Sequence, residues 1–116
     1  MALILVVDDE ALVRLMAVDM LEQAGHEVIE ARNADEAIRI LENRTDISIV
    51  FSDVQMPGSM DGLRLLKVIR NRWPPIKLIL TSGRAIPADD GLPDGVVFVP
   101  KPFDDAAVAK ALAMAR

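Results

Sequence analysis

Five short, nearly continuous apolar runs recur along the chain: Leu3 to Val7, Glu27 to Ala31, Ile47 to Phe51, Lys77 to Leu80 and Val96 to Val99. Hydrophobicity that is continuous rather than alternating is the pattern of strands buried on both faces. The stretches between them carry helical periodicity. Glu10 to Ala24 puts Val13, Met16, Ala17, Met20 and Ala24 on one face and is followed by Gly25, a common helix stop. On this reading Met16 and Met20 are core filler. Asn33 can cap a second helix in which Ala34, Ala37, Ile38 and Leu41 follow the i, i+3, i+4, i+7 rule. A third helix runs from about Asp61 to Trp73, buries Leu65, Leu66 and Ile69, and must stop before Pro74-Pro75.

A fourth helix is expected between Arg84 and Gly95, yet Pro87, Gly91, Pro93 and Gly95 argue for a loop or a turn or two. The last helix begins near Asp104, whose carboxylate suits a helix N-terminus. Strands alternating with helices require right-handed crossovers, a parallel sheet and helices on both of its faces. The predicted fold is a doubly wound α/β sandwich of five parallel strands.

Composition narrows the function. The chain has 116 residues, 52% hydrophobic and 27% charged, which is enough apolar material for one core and too short for two. Residues 1–116 are therefore read as one domain. There is no cysteine and a single histidine, which removes disulfides, thiolate metal sites and multi-histidine sites. No apolar run approaches the length of a membrane span and no basic leader opens the chain, so a cytoplasmic location is expected. A net charge of −5 has the wrong sign for affinity built on phosphate neutralisation, which argues against direct nucleic-acid binding. The single histidine, His26, reads as an exposed turn residue.

Polar residues gather where the strands end. Asp8 and Asp9 follow the first strand, Asp53 the third, Thr81 and Ser82 the fourth, and Lys101 the fifth. In open parallel sheets ligands bind at the carboxyl ends of the strands where the strand order reverses, and a flavodoxin-like order 2-1-3-4-5 would bring these groups into one crevice. Three carboxylates at close range repel by roughly 4 kcal/mol per pair at 4 Å and an effective dielectric of 20. A cation relieves that repulsion, and a donor set made only of oxygens fits Mg²⁺ with several retained waters. Such a metal, with Lys101 as a mobile point charge and a Thr81 hydroxyl, is the equipment of phosphoryl transfer. The residues alone leave the nucleophile open between water and a carboxylate.

Asp8-Asp9 after Leu-Val-Val, Asp53 within Ile-Val-Phe-Ser-Asp-Val-Gln-Met-Pro-Gly, Leu-Thr-Ser-Gly at 80–83 and Lys101-Pro102-Phe103 together resemble the response-regulator receiver domains of two-component signalling. The resemblance spans the whole chain. It implies that Asp53 is the phosphoacceptor for a histidine kinase or phosphotransferase. It also implies that Asp9 and Asp53 bind Mg²⁺ directly, Asp8 through water, and the Gln55 main-chain carbonyl as a further ligand. Lys101 would pair with the phosphoryl group, and Lys101-Pro102 would be cis, a state essentially confined to X-Pro bonds. Thr81 and Phe98 would form the switch. The output face for an unknown downstream protein would be the fourth helical segment, the fifth strand and the last helix.

On this reading the chain is a signalling phosphoacceptor rather than a turnover enzyme, acting only on its own phosphorylation state. The absence of a second carboxylate at Gln55, two residues past Asp53, weighs against the alternative of an aspartate-nucleophile phosphohydrolase. A further alternative is a receiver cut from a hybrid kinase or a DNA-binding regulator.

Overall fold

The computed structural model describes residues 2–54, 61–83 and 95–115. Along the chain the elements are β1 (Leu3–Val7), α1 (Ala11–Gln23), β2 (Glu27–Ala31), α2 (Ala34–Asn43), β3 (Ile49–Asp53), α3 (Gly62–Arg72), β4 (Lys77–Ser82), β5 (Val97–Pro100) and α4 (Asp105–Met114). The five strands are all parallel, in the order β2-β1-β3-β4-β5. This is the flavodoxin-like order predicted from the sequence. The segment expected to hold an irregular helix between β4 and β5 lies, for residues 84–94, outside the described residues.

Alternation within each strand sends side chains to two cores. Leu5, Val7, Val50, Leu78 and Leu80 meet Ala37 and Leu41 of α2 and Leu65, Leu66 and Ile69 of α3. Ile4, Val6, Phe51, Ile79 and Val99 meet Ala17 and Leu21 of α1 and Val108 and Ala111 of α4 on the opposite face. Both faces being covered is why the strand sequences read as unbroken apolar runs.

Three helix starts follow one local rule. The side-chain oxygens of Asn33, Asp61 and Asp104 accept hydrogen bonds from the N–H groups of Glu36, Arg64 and Ala107, each three residues on. Each cap satisfies a donor that has no partner inside its helix. The α1 helix closes before Gly25, whose φ of 94° lies in the left-handed region open to glycine.

Some boundaries and faces differ from the sequence expectation. The third strand begins at Ile49 rather than Ile47 and, like β4, runs on into polar residues, because Ser52, Asp53, Thr81 and Ser82 stay paired and buried in the ladder. In α1 the buried residues are Ala17 and Leu21, whereas Met16 is 49% exposed and so is not core filler. His26 is half-buried rather than free in a turn, because its Nδ1 accepts a hydrogen bond from the Ala2 N–H at 3.0 Å. Among the described residues no helix is long and apolar enough to cross a membrane.

Candidate functional site

At the carboxyl edge of the sheet, β1, β3 and β4 lie side by side, so their terminal residues converge without help from long loops. Asp53 and Thr81 are register partners on β3 and β4. Asp8 follows β1, where its N–H still donates to Ala31 of β2 at 3.2 Å. Asp8 and Asp53 are each only 4% exposed. Two nearly buried carboxylates side by side require compensation, since burial penalises each charge and proximity adds repulsion.

Lys101 supplies part of it. Its Nζ lies 3.2 Å from Asp8 Oδ2 and 3.3 Å from Asp53 Oδ1, bridging the two strand ends across the pocket. Burial alone would lower the Lys101 ammonium, but the charges of Asp8 and Asp53, with their hydrogen bonds, outweigh it and hold the group above the ordinary lysine value. The lysine therefore carries its proton throughout the neutral range. Its backbone is tied to β4 as well, since the Lys101 N–H donates to Ser82 O at 2.8 Å. The Lys101-Pro102 peptide is cis.

A third carboxylate joins this pair. Oxygens of Asp8, Glu10 and Asp53 all lie within 4.8 Å of one another. Asp9, named from the sequence as a direct metal ligand, is exposed and stands outside this trio. The local turn differs from the expectation: Asp8 Oδ1 accepts the Glu10 N–H at 2.9 Å, and Glu10, at the N-cap position of α1 but making no side-chain cap hydrogen bond, has its carboxylate beside those of Asp8 and Asp53. Glu10 carries no signal in the sequence, because an acidic residue at a helix start is ordinarily a solvated partner of the helix dipole. The Gln55 carbonyl lies outside the described residues.

The trio passes a simple test of fit for a hard divalent cation. Its donors are all carboxylate oxygens and two of the three residues are buried, which is the hard-oxygen donor set such a cation takes. Opposite the carboxylates, Thr81 is 1% exposed and its Oγ1 stands 3.5 Å from Ser52 O, a long hydrogen bond that costs little to exchange. Ser82, the other hydroxyl at this edge, is also buried. Phe98 lies on the next strand at 37% exposure, beside a groove of about 360 Å³ that Pro100, Lys110 and Met114 also line.

The backbone under Asp53 is held by close packing. Gly62, the first residue of α3, donates to Val54 O at 2.7 Å, and a Cβ placed on it would run into the Asp53 carbonyl oxygen. On the far face Phe51 packs edge-on against Phe103, which anchors the segment after Pro102 to β3.

Comparison with known proteins identifies the family and the fold. Sensor kinase CckA of Brucella abortus is 41% identical over 110 residues, and response regulator protein FleR of Pseudomonas aeruginosa 36% over 110 residues. These alignments cover 88% and 92% of this chain but only 11% and 23% of the two relatives, so the chain spans a small part of their length. Among solved structures, the receiver domain of hybrid histidine kinase CckA superimposes with a TM-score of 0.82 at 36% identity, covering 99% of this chain and 100% of that one. Chemotaxis protein CheY4 of Vibrio cholerae gives 0.88 at 26% identity, covering 100% and 99%. The response regulator TrrA of Thermotoga maritima, solved in complex with Mg²⁺-BeF, gives 0.82 at 29%, covering 98% and 99%. The family model described as the response regulator receiver domain matches residues 4–113, and the chain belongs to that family.

Proposed function

We propose that this chain is a Mg²⁺-dependent phosphoacceptor that takes a phosphoryl group from a histidine kinase or histidine phosphotransferase onto Asp53. The observation that carries the reading is the joint placement of Asp8, Glu10 and Asp53 with Lys101 on one sheet edge. A carboxylate oxygen of Asp53 forms the new O–P bond while the P–N bond of the donor phosphohistidine breaks. The imidazole leaves with the electron pair and takes up a proton. Lys101, already charged between Asp8 and Asp53, exchanges part of that pairing for the incoming phosphoryl oxygens. The Thr81 hydroxyl, weakly engaged with Ser52 O, turns to donate to the same group. Phe98 then follows into the space Thr81 leaves, which changes the surface of β5 and α4 that a downstream protein reads.

Asp8, Glu10 and Asp53 would hold Mg²⁺, with Asp9 and the Gln55 carbonyl as the further ligands the family pattern suggests. When bound, the metal neutralises carboxylate charge and draws the phosphoryl oxygens toward the nucleophile. The acidic net charge of −5 keeps nucleic acid off the list of direct partners. Residues 1–116 act as one receiver unit in the cytoplasm. The 41% identity to a segment of a sensor kinase supports a second setting, the receiver of a hybrid kinase, with the same chemistry at Asp53.

The test is uptake of phosphoryl from acetyl phosphate, and of beryllofluoride, with and without Mg²⁺. Wild type should take up both only with Mg²⁺, and Asp53→Asn neither. A protein that takes up neither, or an Asp53→Asn variant indistinguishable from wild type, refutes the reading. Comparing Asp9→Asn with Glu10→Gln in a Mg²⁺ titration identifies the third carboxylate by the larger loss of affinity.

A further inference from the structure

Behind the acidic pocket, on the side away from Lys101, the side chain of Arg14 spans three elements. Its Nη1 donates to the main-chain carbonyl of Asp8 at 2.8 Å, and its Nε donates to Glu30 Oε1 on β2 at 3.0 Å. Arg14 itself sits in the first turn of α1, where its N–H donates to Glu10 O at 2.9 Å. Only 13% of its side chain is exposed, against 42% for Glu30. A single planar guanidinium thus ties the exit of β1 to α1 and to β2.

The atom it grips is the significant one. Asp8 is held at its N–H by Ala31, at Oδ1 by the Glu10 N–H and at Oδ2 by Lys101, and Arg14 takes its remaining polar atom, the carbonyl. That carbonyl belongs to the peptide joining Asp8 to Asp9, so fixing it fixes the plane from which Asp9 and Glu10 depart. We propose that Arg14 is a positioning residue: it locks the Asp8-Asp9 peptide so that the acidic groups are preset for a divalent cation, and Glu30 aims it.

Arginine suits this task because two donors project from a rigid planar group to acceptors in different places. One ammonium nitrogen cannot stand at both. The competing explanation is an exposed ion pair that merely fastens α1 to β2, and such pairs contribute little. The two explanations differ in what they predict for the metal, since partners that orient ligands typically change metal affinity about 10–100-fold when removed.

The metal consequence rests on the receiver reading, and the experiment keeps the two separable. Amide NMR spectra of wild type, Arg14→Ala, Arg14→Lys, Glu30→Gln and the control Arg72→Gln are recorded without metal and then titrated with MgCl₂, with urea midpoints taken in parallel. The control breaks another exposed pair, with Glu42, at the far end of α3. Arg14→Ala should shift the Asp8, Asp9 and Glu10 amides before metal is added and weaken Mg²⁺ binding about tenfold or more. Arg14→Lys should recover part of that loss, Glu30→Gln should show a smaller one, and Arg72→Gln none.

Wild-type affinity in Arg14→Ala, or unmoved amides at Asp8 and Asp9, overturns the proposal. Should Arg14→Ala fail to fold, Glu30→Gln carries the test, and unchanged affinity and amides in that variant overturn it equally. If wild type itself takes up no Mg²⁺, the receiver reading falls, while the metal-free amide shifts still decide whether Arg14 sets the Asp8-Asp9 peptide.

Discussion

Replacing Gly62 by alanine should damage the site more than its distance from the Asp53 carboxylate suggests. A Cβ at Gly62 would overlap the Asp53 carbonyl oxygen and stand 2.7 Å from the Asp53 carbonyl carbon and 2.9 Å from Val54 Cα. Carbon atoms in contact settle at about 3.5–4.0 Å, so the two carbon contacts alone require the backbones of α3 and β3 to part by roughly 1 Å, and the overlap with the oxygen requires more. All three obstructing atoms belong to the backbone, so no side chain can turn aside. Overpacking of this kind costs about 1–3 kcal/mol. Weakening the 2.7 Å bond from Gly62 N–H to Val54 O adds about 1 kcal/mol. The better helix propensity of alanine returns at most about 1 kcal/mol.

The net expectation for Gly62→Ala is about 1–4 kcal/mol of lost stability, read from urea unfolding followed by the single tryptophan, Trp73, which packs against the core just after α3. On the phosphoacceptor reading, a shift of this size in the backbone of Asp53 also predicts about a hundredfold slower phosphorylation by acetyl phosphate, the usual consequence of misplacing a reacting group by an ångström. Gly83→Ala is the control, because a Cβ there meets nothing within 4 Å. If Gly62→Ala unfolds at the same urea concentration as Gly83→Ala and is phosphorylated at the wild-type rate, the packing argument is wrong.

Three further outcomes are expected. Lys101→Met removes the ammonium that bridges buried Asp8 and Asp53 and should cost about 2–3 kcal/mol, below the usual range for a fully buried pair because the lysine is partly exposed; added Mg²⁺ should shrink the deficit, and a deficit unaffected by Mg²⁺ counts against charge balance as the cause. The Lys101 ammonium is held above its ordinary value of 10.5, so its stabilising contribution is complete below that pH and fades as the pH rises through the folded value; the difference in urea midpoint between wild type and Lys101→Met should stay constant at neutral pH and narrow only in the alkaline range. Leu66→Ala, at a fully buried position, should cost about 2–5 kcal/mol, whereas Leu12→Ala, 73% exposed, should stay within about 0.5 kcal/mol, both read from unfolding curves.

The sheet was legible because strands buried on both sides leave a signal that needs no partner to be read, and the caps at Asn33 and Asp104 were legible because a short side chain three residues before a free N–H is a local device. The buried face of α1 was legible only in part: Ala17 is buried and Met20 packs against the core, but Leu21 is buried and Met16 exposed, because Leu12, Leu15 and Met16 are as apolar as the buried residues and blur the stripe. Strand ends were hidden by polar residues: Ser52, Asp53, Thr81 and Ser82 look like loop, yet ladder pairing keeps them in β3 and β4. At the site the same split recurs. Asp8, Asp53 and Lys101 follow from topology alone, whereas Glu10 depends on the turn that Asp8 Oδ1 imposes and Arg14 on a contact to a carbonyl, neither of which has a sequence signature.

The ladder also explains why a change of charge at Asp53 needs no long route to the surface. Asp53 pairs with Thr81, Thr81 with Val99, and Leu80 with Phe98, so acceptor, hydroxyl and aromatic ring occupy neighbouring rungs of three adjacent strands. Each step across the sheet is about 4.8 Å. Lys101 is tied into the same ladder through its N–H to Ser82 O. A phosphoryl group that draws Lys101 and Thr81 toward itself therefore acts on β4 and β5 directly. Phe98 is 37% exposed, and on the phosphoacceptor reading a difference of about 1.4 kcal/mol between a more and a less buried position would move its population tenfold. One or two charge-assisted hydrogen bonds supply that difference, at about 1.5–3 kcal/mol each. On that reading the switch needs only a small displacement to be decisive in population, because the groups that would sense the charge and the ring that would report it lie on neighbouring rungs of one sheet.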